Sequence, residues 1–121
     1  LQSELFFDTG KADLKPDAQA ELDKVASALV ELEKQIPADI AWVLRVDGHT
    51  DVRPISGGAF KSNWDLSAAR AIAVVQYLIA KGVSPQRLVA AGFGEFQPID
   101  TGTTEDAYRK NRRIEFKLTE R

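Results

Sequence analysis

Asp51 and Arg70 carry opposite charges on two stretches that read as the ends of regular elements. Asp51 closes the run Val46-Asp47-Gly48-His49-Thr50-Asp51, where the alternation of Ile40, Trp42, Leu44 and Val46 gives way to glycine and polar residues. Arg70 lies in Ser62-Asn63-Trp64-Asp65-Leu66-Ser67-Ala68-Ala69-Arg70-Ala71, the opening of a long helical pattern. Ser67 is placed at the N-cap, where its hydroxyl accepts from a free backbone N–H, and Arg70 then falls on the first turn. A helix N-terminus favours an anion, and a guanidinium there adds a bidentate fork for a carboxylate. Asp51, brought alongside, offers the opposite charge to an ammonium group. The pair suits a small zwitterion, with its acid on Arg70 and its amine on Asp51. Without a ligand, the two are expected to pair with each other or to hold an anion.

Several landmarks carry a resemblance. Phe6-Phe7-Asp8-x-Gly10, Gly48-His49-Thr50-Asp51, Asn63, Leu66-Ser67-x-x-Arg70-Ala71, Ala91-Gly92-Phe93-Gly94-Glu95 and Asn111-Arg112-Arg113 follow one another in the order seen in OmpA-like peptidoglycan-binding domains. The resemblance spans nearly the whole chain. The Ser62-Asn63-Trp64-Asp65-Leu66-Ser67 form and the longer insert before it are most similar to the MotB-type, flagellar-stator subgroup. The family implies non-covalent binding of peptidoglycan through the diaminopimelate of the stem peptide. Asp51 and Arg70 match the positions that hold the free end of that side chain. Thr50, Asn63 and the backbone around Leu66 and Ser67 would complete the shell, with Asp8 and Thr9 at the rim. Arg112 matches the motif flanking the cleft, and alternation leaves open whether it or Arg113 faces the ligand. The family also implies a periplasmic domain of a Gram-negative envelope protein, anchored in the inner or outer membrane by whatever precedes Leu1, without membrane insertion by the domain itself. Stator, secretion component and structural tether all remain open.

Other chemistries fit less well. His49 is the sole histidine, and no Gly-x-Ser-x-Gly elbow accompanies it. A metal site on Asp47, His49 and Asp51 lacks further imidazole or thiolate ligands, so a metal-assisted cell-wall hydrolase ranks low. Asp47 and Asp51 as a glycosidase pair would need one raised pKa, and their polar neighbours favour ionised carboxylates. The reading is a binding module, not an enzyme, with no cofactor and no metal. A protein-interaction or dimerisation domain of a membrane complex is the alternative, using loop 52–62 and the Arg109 to Arg113 cluster.

A chain of 121 residues with 44% hydrophobic and 28% charged content is one ordinary globular domain, spanning 1–121. Cysteine is absent, which removes disulfides, thiolate metal sites and a thiol nucleophile. The net charge of −2 is uneven, with four Lys/Arg against nine Asp/Glu in residues 1–40 and twelve against nine thereafter. A pI near 5.4 argues against a nucleic-acid partner. No apolar run reaches the roughly 18–20 residues that cross a bilayer. The start at Leu1, close to an expected strand, suggests a piece of a longer protein.

Positioning the two charges requires a sheet with helices behind it. Glu4 to Phe7 reads as a short strand ending in Asp8-Thr9-Gly10. Pro16 opens an amphipathic helix of about five turns, with Leu22, Val25, Ala26, Leu29, Leu32 and Ile36 on one face and Pro37 as its stop. Ile40 to Gly48 is a half-buried strand. Residues 52–62, including Ser56 and Gly57, form a long loop that could line the cleft or meet a partner. The helix from Ser67 runs to Lys81-Gly82, with Trp64 before it assigned to packing. Arg87 to Phe93, apolar on both faces, is placed centrally in the sheet. Thr103 to Tyr108 makes a helical turn, and Arg112 to Thr119 alternates with Ile114, Phe116 and Leu118 inward. The expected fold is an α+β sandwich of order β-α-β-α-β-β, a mixed four-stranded sheet with helices packed on one face.

Overall fold

The computed structural model describes residues 1–55 and 58–121; Ser56 and Gly57 of the expected loop lie outside the described residues. Among the described residues three strands form the sheet. Strand β1 (Trp42–His49) is central, β2 (Leu88–Gly94) pairs with it in parallel, and β3 (Arg113–Glu120) pairs antiparallel on its other side. Helices α1 (Pro16–Gln35), α2 (Asn63–Ala80) and the short α3 (Glu105–Asn111) complete the order. The parallel β1–β2 pair is joined through α2, the crossover that such a pair requires. No helix among the described residues is long and apolar enough to cross a membrane.

Two expectations about the sheet are corrected. Glu4 to Phe7 is not a fourth strand: Ser3–Leu5 is a single 3-10 turn, closed by Phe6 and Phe7 N–H groups donating to the Ser3 carbonyl. Pairing with β3 is limited to an isolated bridge between Gln2 and Arg113. Because the backbone turns at once, Phe6 and Phe7 do not alternate, and both are buried in the core. In addition, β2 lies at the sheet edge among the described residues, and Val89 and Ala90 on it are exposed. Its unbroken apolar run imitates a central strand, but its small residues serve a close helix contact instead.

Helix α1 follows its pattern. Pro16 occupies the first turn, Ala18, Leu22, Ala26 and Leu29 are buried, and the helix ends before Pro37. These side chains meet Phe6, Leu44, Val46, Val74, Leu78 and Ile114 in one core on one face of the sheet. Each fully buried Leu or Phe there contributes about 1.5–3 kcal/mol. On β3, Ile114 is inward as expected, whereas Leu118, on this outer strand, is exposed.

Helix α2 starts five residues before the expected cap. Its N-cap is Ser62, whose side chain accepts from the Asp65 N–H at 3.2 Å. Ser62-x-x-Asp65 is a variant of the capping-box spacing and was available in the sequence as a start signal. Ser67 is therefore inside the helix and fully buried. Its hydroxyl donates to the Trp64 carbonyl (3.0 Å) and accepts from the Gly94 N–H (2.9 Å), tying helix to strand end. The contact is close enough to require glycine. A Cβ on Gly48 would lie 2.2 Å from the Ser67 carbonyl oxygen, and one on Gly92 would lie 2.6 Å from the Ala68 nitrogen.

Overpacking of this kind typically costs about 1–3 kcal/mol, because backbone must shift. Gly92→Ala is expected to lower the unfolding free energy by that amount, read as a lower urea midpoint at unchanged slope. Gly10→Ala, where a Cβ meets nothing within 4 Å but φ is +70°, should cost less, about 1 kcal/mol. Equilibrium unfolding followed by circular dichroism checks the ordering.

Candidate functional site

The end of β1, the first turns of α2, the segment after the 3-10 turn and the residue joining α3 to β3 enclose one cleft of about 990 Å³. Thr9, Thr50, Asp51, Asn63, Leu66, Arg70 and Arg112, all expected site residues, line it. Asp8 takes part through its backbone carbonyl, which accepts from Arg70 Nη2 at 3.1 Å. Ser67 does not line the cleft; it lies beneath it, engaged with Trp64 and Gly94. Arg112 reaches the cleft, whereas Arg113 points to the opposite sheet face and donates to Gln97 and Asn111 carbonyls and the Glu115 carboxylate.

Asp51 and Arg70 face the same cleft without pairing with each other, the first of the two arrangements expected of them. Arg70 is the eighth residue of α2, on its second or third turn, so the helix N-terminus does not act on it directly. It is 5% exposed, donates through Nε to the Lys11 carbonyl (2.8 Å), and stacks over Phe7 at 5.0 Å. No carboxylate lies within ion-pair distance of it among the described residues. Burial pushes its pKa down to about 10, and it stays cationic at neutral pH.

Asp51 is the reverse case. It accepts from the Arg53 backbone N–H (2.9 Å), from Arg53 Nε and Nη2 (3.2 and 2.7 Å) and from Arg112 Nη1 (2.7 Å). Burial pushes its pKa upward, but the hydrogen bonds from Arg53 and Arg112 outweigh it and hold the carboxyl below its usual range. Arg112 also bonds Glu4 (2.6 Å) and Glu105 (2.8 Å), and Arg53 bonds Glu105 (3.2 Å) while lying over Tyr108. Burial opposes the charge on Arg112, but these carboxylates raise its pKa. Arg53, Glu4 and Glu105 were not singled out by sequence. Arg53, two residues past Asp51 in a loop suited to turning back on itself, was the available signal.

Two polar side chains hold the frame. Thr50 donates through Oγ1 to the Asp51 carbonyl (2.9 Å), and its N–H bonds Gly94. Asn63 ties the loop, with Nδ2 donating to the Arg53 carbonyl (3.1 Å) and, more weakly, to the Asp51 carbonyl and Glu95 (3.4 Å each). The Asp47, His49 and Asp51 metal set is not assembled, because Asp51 faces the cleft while the other two lie on the sheet. Asp47 and His49 instead come together with Glu115. Arg45 grips Asp47 at 2.7 and 2.9 Å and Arg113 grips Glu115, so guanidinium groups already neutralise both carboxylates.

Residues 6–112 match the profile of the OmpA family. The chain is 40% identical over 95% of its length to the YtxE protein of Bacillus subtilis (strain 168), and covers 45% of that protein. It is 35% identical to the peptidoglycan-associated lipoprotein of Pseudomonas aeruginosa over 93% of this chain and 60% of the lipoprotein. The crystal structure of a MotB-like protein from Desulfovibrio vulgaris superposes with a TM-score of 0.88 at 32% identity, over the whole of this chain and 73% of the other. The chain thus spans about half the length of the curated relatives it matches.

The depressed pKa of Asp51 fixes the sign of a pH effect. Its contribution to stability is present above its unfolded value, about 3.9 for an aspartate, and is lost as pH falls through the lower folded value. Wild type should therefore be more stable than Asp51→Asn at pH 6–7, and the gap should close on acidification below about pH 4. Urea midpoints of the two proteins measured across that range check it.

Proposed function

Since the chain belongs to the OmpA family, we propose that it grips peptidoglycan non-covalently through the diaminopimelate of the stem peptide. In this reading Arg70 takes the carboxylate at the end of the diaminopimelate side chain, and Asp51 takes the ammonium beside it. The observation that carries it is the state of Arg70: a buried cation at a cleft wall, held by two backbone carbonyls and, among the described residues, by no acid. A charge desolvated this far gains most from a partner that brings the missing anion. The guanidinium can meet a carboxylate with the parallel geometry that arginine favours.

Asp51 is reached differently. The ammonium must enter a carboxylate already bonded to Arg53 and Arg112. Arg53 is the one that can yield, because its side chain is 49% exposed against 20% for Arg112. Its release leaves Asp51 in contact with Arg112 and open to the ligand. Thr50 and Asn63 keep the Asp51 backbone in place, Leu66 gives an apolar wall, and Thr9 with the Asp8 carbonyl forms the rim near Arg70. Ser67 acts from below by fixing α2 against β2. The peptidoglycan-associated lipoprotein among the relatives carries the ligand class in its name. By this reading the domain anchors a longer envelope or motor protein to the cell wall.

Each charge-assisted bond is worth about 1.5–3 kcal/mol, or roughly ten- to a hundredfold in affinity. Asp51→Ala and Arg70→Ala are each expected to lose co-sedimentation with purified sacculi while keeping a native circular dichroism spectrum. Arg70→Lys keeps the charge without the fork and should bind weakly. Wild-type sacculus binding by both alanine variants, folded, removes the mechanism.

A further inference from the structure

Trp64 and Phe96 stack on each other with ring centroids 5.0 Å apart, yet they are 50% and 55% exposed. Trp64 was assigned to packing from sequence, but its neighbours cover only half of it. Neither ring lines the cleft, but each follows in the chain a residue tied to it. Asn63, the preceding residue, lines the cleft, and its amide also reaches the Glu95 carboxylate, the residue before Phe96 by one. Gly94, at φ +62°, brings the end of β2 against Trp64, with a Cβ there only 3.4 Å from the indole. The backbone thus turns so as to present two aromatic rings side by side, one residue along the chain from Asn63 and Glu95.

We propose that the Trp64–Phe96 pair is a subsite for the glycan of peptidoglycan, a platform on which one N-acetylated sugar ring lies while its stem peptide occupies the cleft. This extends the cleft reading and rests on it. Sugar and peptide are covalently joined, so a stem seated against Arg70 and Asp51 keeps a sugar ring within a few residues' reach of the cleft. A pyranose ring has one face of C–H groups, which suits the electron-rich face of an aromatic ring. The surrounding groups suit the hydroxyls: Asp65 and Glu95 supply acceptors, and the exposed Gln97 supplies both donor and acceptor. The acidic rim disfavours an anionic lipid surface. The platform is also too small for a second protein. Two half-exposed aromatic side chains offer about 200 Å², against roughly 800 Å² per partner in a stable interface.

The test is calorimetric titration of wild type, Trp64→Ala and Phe96→Ala with a diaminopimelate-containing stem peptide, with and without its N-acetylglucosaminyl-N-acetylmuramyl disaccharide. Wild type should bind the disaccharide form about two- to tenfold tighter, the range an aromatic contact contributes. Each variant should erase that preference and leave affinity for the bare peptide unchanged. Acrylamide quenching of the exposed Trp64 should fall with the disaccharide ligand and not with the peptide. Equal wild-type affinity for both ligands overturns the platform and leaves the cleft reading standing. So does equal weakening of both by the variants. Failure of wild type to bind either ligand overturns both readings. Self-association abolished by Trp64→Ala would assign the pair to a second copy of the chain and likewise overturn the proposal.

Discussion

The close approach of α2 to the end of the sheet is the constraint on which the rest of the site depends. Gly48 lets the Ser67 carbonyl lie where a Cβ would otherwise be, and Gly92 does the same for Ala68. The buried Ser67 hydroxyl then locks the contact by accepting from Gly94. Because Gly94 also accepts from Thr50, helix, β2 and the end of β1 meet at one point. Asn63, Leu66 and Arg70, at three- and four-residue spacing along α2, are thereby turned toward Thr50 and Asp51. A bulkier contact would push the helix away and open the cleft on the side where the charges stand.

The charges at the cleft are unequally matched, and the mismatch follows from position. Asp51 sits where a strand ends and a loop returns, so Arg53 and Arg112 both reach it. Arg70 projects from within a helix toward the 8–11 segment, where it donates to the Asp8 and Lys11 carbonyls. A carbonyl satisfies an N–H donor without cancelling the charge. The acid is consequently over-supplied with cations, and the base meets no carboxylate at ion-pair distance among the described residues. A ligand carrying both signs at short separation is complementary to that distribution in a way that a simple anion or cation is not.

The sequence made the charged pair legible, along with both long helices and the alternation of β1 and β3, because each rests on residue type or on local periodicity. Three features escaped it for tertiary reasons. Phe6-Phe7 suggested a strand by composition, but a 3-10 turn buries both rings at once. The apolar run of β2 looked central because small residues needed for helix contact resemble residues buried between two layers. Ser67 resembled a cap because serine favours caps, although Ser62 fits the role with Asp65 three residues on. In the site, the network around Asp51 was hidden because Arg53, Glu4 and Glu105, which meet it directly or through Arg112, converge from three separate segments. Leu66-Ser67-x-x-Arg70 fixed identities, but the depth of Arg70 depended on where the helix began.

The run Gly48-His49-Thr50-Asp51 reads as a single motif, but its members serve three different surfaces. Strand alternation sends Asp47 and His49 to the face away from the helices, where they meet Glu115 across the β1–β3 register. Gly48 faces α2, and Thr50 and Asp51 leave the strand for the cleft. His49 stacks on Phe93 at 5.0 Å, and its Nδ1 has no partner among the described residues. Burial, reinforced by Arg113, lowers its pKa and favours the neutral ring. A neutral, stacked imidazole can fill space between two arginine–carboxylate pairs without adding a further charge to a buried face. It packs against Phe93 at the strand end, where the β1–β2 register shifts, one residue away from the point where the chain turns Asp51 into the cleft.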